Sequence, residues 1–229
     1  MKKQLVVLTG AGISAESGLK TFRDGDGFWE NHRIEDVATP EAFERNPQLV
    51  LDFYNHRRQQ VLKANPNAAH EALVKLENDF DIHIITQNID DLHERAGSKN
   101  VLHLHGEIKL CRSANPVAPV FYEYSKNLKV GDTGSDGYQL RPHIVWFGEA
   151  VPAMESAMQL VSIAEIFLIV GTSLVVYPAA GLVNYLPFGI PIFVVDKHLP
   201  ALPKFPNLKS IEQPATIGME RVLELLMKK

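Results

Sequence analysis

The stretch Ile82–Gly106, IHIITQNIDDLHERAGSKNVLHLHG, decides the fold. Its opening, with Ile82, Ile84 and Ile85, is short, β-branched and apolar, as a strand buried on both faces of a parallel sheet reads. At the carboxyl end of that strand come an amide pair, Gln87 and Asn88, and a carboxylate, Asp90. His105-Gly106 closes the stretch. Ligands in open parallel sheets sit outside the carboxyl ends of the strands. The stretch therefore delivers amide, carboxylate and imidazole to the place where such a fold binds.

Outward from it the same pattern recurs. Gln4–Leu19, QLVVLTGAGISAESGL, reads as strand, tight glycine turn and helix. Gly10 and Gly12 would let backbone N–H groups approach a phosphate, with the positive end of the following helix aimed at the same anion and Ser14 as its N-cap. The G-x-G-x-x-G fingerprint is incomplete, because Ala15 stands in the third glycine's place. Leu5–Leu8, Ile166–Val170 and Ile192–Val195 read as further buried strands. Helical patterns lie between them at Ala68–Asn78 and Met154–Ala164, and an amphipathic helix at Gly218–Lys229 carries Met219, Val222, Leu223 and Leu226 on one face. Alternation of this kind predicts an α/β fold, a Rossmann-like doubly wound parallel sheet.

Two regions break the alternation. Asp24–Lys63 is aromatic, charged and helical without a strand. Glu107–Leu140 is rich in Pro and Gly and reads as a loop-rich module with short strands, with Gly131–Gly137 (GDTGSDG) as a flexible turn. The expected division is a large Rossmann-like part over about 1–24, 64–106 and 143–229, and a smaller inserted module over about 25–63 and 107–142.

Composition narrows the function classes. The chain has 229 residues, with 45% hydrophobic residues and a net charge of −4, so it can bury a full core and has no basic field to attract nucleic acid. One cysteine, Cys111, excludes an intrachain disulfide and suits a reducing compartment. The opening apolar run is too short for a signal peptide, and no segment reaches a membrane span. The expectation is a cytoplasmic monomer with neither a nucleic-acid nor a membrane partner.

Five motifs occur in order: GAGISAESGLKTFR (Gly10–Arg23), TQNID (Thr86–Asp90), LHLHG (Leu102–Gly106), RPHIVWFGE (Arg141–Glu149) and GTSLVVYPAA (Gly171–Ala180). Together they resemble the sirtuin family, NAD-dependent protein-lysine deacylases, and within it the bacterial desuccinylase-like class. The resemblance covers nearly the whole chain. It implies that the acyl oxygen of a modified lysine attacks the ribose C1′ of NAD as nicotinamide leaves. A base then deprotonates ribose hydroxyls so that the acyl group moves to the sugar.

By that resemblance His105 is the base, a role that suits an imidazole titrating near neutrality. His103, two residues earlier, would share its face on a strand, and the family's H-G pattern selects His105. The resemblance also implies an NAD site built from Gly10, Ala11, Gly12, Phe22, Arg23, Gln87, Asn88, Ile89, Asp90, Gly171, Thr172, Ser173, Lys197 and Ala215. Asn88 and Asp90 can recognise a carboxamide, and Gln87 a ribose. Tyr54 and Arg57, three apart on a helix, share a face and match the family's Y-x-x-R mark for succinyl or malonyl groups. The strand around Val145, Phe147, Gly148 and Glu149 would hold the acyl-lysine protein substrate by strand addition, opposite Leu174–Tyr177.

One departure is plain. The family carries four zinc-binding cysteines in the small module, and this chain has Cys111 alone. A structural site needs four ligands, so no zinc is expected. Apolar packing of Val117, Val120, Phe121, Tyr122 and Tyr124 would hold the module instead. Three other readings exist: ADP-ribosyl transfer to a protein, a hydride-transferring dehydrogenase, and a non-catalytic NAD-binding module. Retention of His105 and of the Tyr54–Arg57 pair weighs against the first. The dehydrogenase lacks its acidic residue, since ENHRIEDV does not follow a second strand.

Overall fold

The computed structural model describes residues 2–20, 28–29, 32–124 and 126–227. The chain opens with β1 (Lys3–Thr9), α1 (Ala11–Ser14) and a 3₁₀ turn (Ala15–Ser17). The short strands β2 (Phe28–Trp29) and β3 (His32–Arg33) lead to α2 (Ile34–Val37), α3 (Pro40–Arg45) and α4 (Pro47–Lys63). Then follow α5 (Ala68–Leu76), β4 (Phe80–Thr86), α6 (Leu92–Ala96) and β5 (Val101–His103). A second sheet comes from β6 (Gly106–Ser113), β7 (Phe121–Glu123) and β8 (Leu140–Ile144). The chain returns through α7 (Met154–Ser162), β9 (Ile166–Val170), a 3₁₀ stretch (Ala179–Tyr185), β10 (Ile192–Asp196), β11 (Leu208–Glu212) and α8 (Ala215–Met227).

Six parallel strands stand in the order β11-β10-β9-β1-β4-β5. Counted along the chain this is the Rossmann order, with its switch point between β1 and β9. Apolar side chains leave both faces of β1: Leu5, Val6, Val7 and Leu8 are fully buried. Leu5 and Val7 join the core under α5 and α8, through Leu73, Leu76, Met219 and Val222. Val6 and Leu8 join the opposite core, with Ala157 and Val161 of α7 and Leu182. Covering both faces is what an all-parallel sheet requires.

The smaller part is a three-stranded antiparallel sheet, β7-β6-β8, against which α2, α3 and α4 pack. Pro40 and Pro47 begin α3 and α4 at positions where the missing N–H costs nothing, and Thr39 and Asn46 cap them. Val37, Val50, Tyr54, Ile108, Ile144 and Trp146 form the shared core.

Several expectations need correction here. The region Asp24–Lys63 does contain a short antiparallel pair, Phe28↔Arg33 and Trp29↔His32. Val117 and Phe121 are exposed, at 89% and 54%, so neither holds the module together. Its core is Leu51, Cys111 and Leu128, with Tyr122 and Tyr124 against them. Hydrogen bonds supply the rest: Ser113 Oγ donates to Asp136 Oδ2 at 2.7 Å and Asn115 Nδ2 to the same oxygen at 3.3 Å. The Gly131–Gly137 turn is tied down by Gly131 N–H to Gln139 Oε1 and Gly134 N–H to the Tyr138 carbonyl. Val145–Glu149 is not a strand, because β8 ends at Ile144. Among the described residues no group of three or more His, Cys, Asp or Glu side chains could hold a metal. None of the described helices is long and apolar enough to cross a membrane.

Candidate active site

A cleft of about 470 Å³ opens at the carboxyl ends of β1, β4, β9 and β10. Its floor is the switch point. The Gly10 N–H donates to the Val170 carbonyl at 3.0 Å and the Gly12 N–H to the Gly171 carbonyl at 2.8 Å. A Cβ on Gly12 would lie 2.6 Å from Gly171 Cα, so these glycines let two strand ends close on each other. Both of these N–H groups are consumed within the protein, so a phosphate contact expected at this turn falls to its other backbone donors. Ala11 N–H has no acceptor among the described residues and lies at the cleft. The helix behind it is one α turn and one 3₁₀ turn, too short for a sizeable dipole.

Ser14 does not cap a helix. Its Oγ accepts from Asn88 Nδ2 at 3.1 Å and hydrogen-bonds Asp90. Asn88 Nδ2 donates as well to the Gly10 carbonyl at 3.1 Å, which spends both amide protons and presents Oδ1. Asp90 is buried, and burial raises its pKa against the Leu92 N–H and Ser14 bonds that lower it. Gln87 donates to Thr172 Oγ1 at 2.9 Å, linking β4 to β9 across the cleft. Ile89 and Ser173 line the same cavity.

Two histidines lie against the β4 exit. His105 Nδ1 is 2.9 Å from the Gln87 carbonyl oxygen, and His103 Nδ1 is 2.9 Å from that of Asn88. Of these two, His105 lines the cleft and His103 does not. Burial lowers its pKa, partly offset by the Gln87 bond, so the ring is neutral near pH 7.

At the far end stand Tyr54 and Arg57 of α4. Arg57 donates to the Lys20 carbonyl at 3.0 Å and to Gln60 Oε1 at 3.1 Å. Tyr54 OH accepts from Trp146 Nε1 at 3.0 Å, and burial lifts its pKa well above 10, so it remains a phenol. Glu149 is committed elsewhere. Its carboxylate takes Arg141 at 2.7 and 3.1 Å, Arg112 at 3.0 Å and the Trp146 N–H at 2.8 Å. Burial would raise its pKa, but Arg141 and Arg112 hold it below the usual carboxylate value. Its contribution is to shape the loop bearing Val145, Phe147 and Gly148, which line the cleft.

Opposite that loop, Val175 and Tyr177 are exposed at the cleft mouth, and Leu174 has φ 54°. Lys197 and Ala215 line the far edge beside buried Asp196. Phe22 and Arg23 lie outside the described residues. Sequence reasoning missed Ser14 as a bridge, Trp146 as the partner of Tyr54, and Asp196. The only available signal was their position inside or beside quoted motifs.

The residues present fit NAD. The cavity is of ligand size, a backbone N–H with no acceptor among the described residues lies at its glycine turn, and an amide, a buried acid and a neutral imidazole converge on it. The sequence profile described as the Sir2 family matches residues 10–178. A Bacteroides thetaiotaomicron protein named NAD-dependent protein deacylase is 49% identical over 230 residues, covering 98% of each chain. A solved Sir2 homolog–NAD complex aligns with TM-score 0.88 at 38% identity, over 99% of this chain and 90% of the other. A Sir2 structure with a p53 peptide and NAD⁺ aligns with TM-score 0.79 at 31% identity, over 98% of this chain and 93% of the other.

Proposed function

The chain belongs to the Sir2 family, and on that footing we propose the cleft at the β1–β9 switch point as the seat of its chemistry. The activity is NAD-dependent removal of acyl groups from protein lysines, leaving nicotinamide and O-acyl-ADP-ribose. When bound, NAD supplies an ADP-ribosyl group through its nicotinamide–ribose bond.

One observation carries the assignment of the base. A carbonyl oxygen only accepts, so the 2.9 Å contact to Gln87 puts the His105 proton on Nδ1 and leaves the lone pair on Nε2. Nε2 then takes the proton from a ribose hydroxyl. Asn88 Oδ1 and Asp90 hold the carboxamide of nicotinamide, and Gln87 and Thr172 orient the ribose. Ala11 N–H and Ser173 hold phosphate, while Lys197 and Ala215 flank the adenine.

Tyr54 and Arg57 receive the far end of the acyl group. A neutral phenol and a guanidinium suit a carboxylate, so succinyl and malonyl groups are accepted together with acetyl. The substrate backbone lies between Val145–Gly148 and Leu174–Tyr177. The Gly148, Val175 and Val176 N–H groups have no protein acceptor among the described residues, which supports pairing with a peptide. The unpaired buried Cys111 suits the cytoplasm.

The test is product mass spectrometry on acetyl-lysine and succinyl-lysine versions of one peptide, with and without NAD. NAD-dependent loss of both groups is expected. Nicotinamide release without deacylation would point to ADP-ribosyl transfer instead.

A further inference from the structure

His103 lies outside the cleft lining, yet its ring is held from both sides. Nδ1 is 2.9 Å from the Asn88 carbonyl oxygen and Nε2 is 2.8 Å from Glu94 Oε1. The side chain is 8% exposed, and that of Glu94 40%. A neutral imidazole has one N–H and one lone pair. Here both neighbours are acceptors, so a neutral ring would set its lone pair against one of them.

We propose that His103 is a positioning residue for this reaction: an imidazolium between Glu94 and the Asn88 carbonyl that fixes the backbone from which Asn88 and Asp90 reach the cleft. The inference rests on the deacylase reading above. It assigns the two histidines of L-H-L-H-G different work. Both rings grip successive carbonyls of the β4 exit, Gln87 and Asn88. His105 keeps Nε2 for the substrate, whereas Glu94 closes that of His103. The Asn88 carbonyl and side chain belong to one residue, and its Nδ2 already bonds Gly10 and Ser14. Loss of the clamp on the carbonyl therefore turns the amide out of register with the turn that it spans.

The charged and titratable groups facing His103 are Glu94 and His93 on α6, Asp90 after β4, Glu107 on β6 and His143 on β8, with His105 two residues on. Burial pulls His103 down, but the Glu94 bond and charge, the Asn88 bond and Glu107 outweigh it, and its pKa is raised. The clamp is present below that pKa and lost as pH rises through it.

The test is the alkaline limb of kcat/KM for NAD, with each protein scaled to its own maximum, in wild type, Glu94→Gln and His103→Gln. NMR of the histidine nitrogens in the whole protein accompanies it. Both His103 nitrogens should carry protons at pH 6.5. Glu94→Gln, a change at a half-exposed site, should move the limb about one pH unit or more toward acid. His103→Gln should abolish the limb and raise the KM for NAD about tenfold, with kcat less affected. A limb that stays in place in Glu94→Gln, or a neutral His103 at pH 6.5, overturns the proposal. Wild-type protein that forms no NAD-dependent product at any pH sinks the deacylase reading, and this role with it. A working enzyme with an unmoved limb sinks the role alone.

Discussion

His105 and Gln87 are joined by a 2.9 Å hydrogen bond from the ring Nδ1 to the backbone carbonyl oxygen. That bond sets the tautomer before any substrate arrives. On the proposed reading it also ties the base to the strip that carries Asn88 and Asp90, so that proton transfer and carboxamide recognition would share one backbone. Burial holds His105 below its usual 6.5, and protonation as pH falls removes the base. The acid limb of kcat/KM should therefore lie below pH 6.5, as a rate profile from about pH 5 to about 8 would show. An acid limb above 6.5 contradicts this.

Arg57→Met should separate the acyl groups. Removing a guanidinium that meets a carboxylate costs a charge-assisted bond, so kcat/KM for succinyl-lysine should fall roughly ten- to a hundredfold. Acetyl-lysine has no such charge and should change by far less. Equal losses on both peptides would mean that Arg57 shapes the pocket without reading the acid.

Gly12→Ala probes the switch point. The new Cβ would meet Gly171 Cα at 2.6 Å and its carbonyl oxygen at 2.8 Å, both of them backbone atoms that cannot turn aside. The strand ends must part, at a cost of about 1–3 kcal/mol in stability. Urea denaturation measures that loss, and calorimetry should show weaker NAD binding. An unchanged midpoint would mean that β1 and β9 are not closed on each other here.

Acid should unfold the protein through buried histidines. His70 and His93 are fully buried with ring centroids 5.0 Å apart, and His70 Nε2 and His93 Nδ1 have no hydrogen-bond partner among the described residues. Burial lowers His70 to about 4 and drives His93 well below 6.5. The unfolded chain binds these protons near pH 6.5 and the folded one does not, so stability falls as pH drops from 6.5 toward about 4. His70 alone accounts for roughly 3 kcal/mol of that fall. Denaturant midpoints at several pH values measure it, and His70→Gln should flatten the dependence.

The parallel sheet was legible because its strands are buried on both faces. Leu5–Leu8, Ile166–Val170 and Ile192–Val195 can be little else, and all three are central strands. The candidate site was legible as residue types at strand ends, while the partners of those residues were not. Asn88 and Ser14 are 74 positions apart, and no local pattern distinguishes a bridging serine from a capping one. Gly10 and Gly12 look the same in sequence whether they admit a phosphate or a neighbouring strand; only the approach of Gly171 decides. Glu149 read as part of a substrate strand because Arg141 and Arg112, which claim its carboxylate, lie on β8 and β6. Val117 and Phe121 read as core because composition does not reveal which side of a short loop-rich sheet faces water.

The most direct test of the central claim is a single-turnover assay of wild type and His105→Ala with NAD and an acetyl-lysine peptide, following peptide, nicotinamide and O-acetyl-ADP-ribose together. Wild type should form all three products. His105→Ala should bind NAD yet form no O-acetyl-ADP-ribose. O-acetyl-ADP-ribose released by His105→Ala at the wild-type rate would contradict the account, because the base would then lie elsewhere.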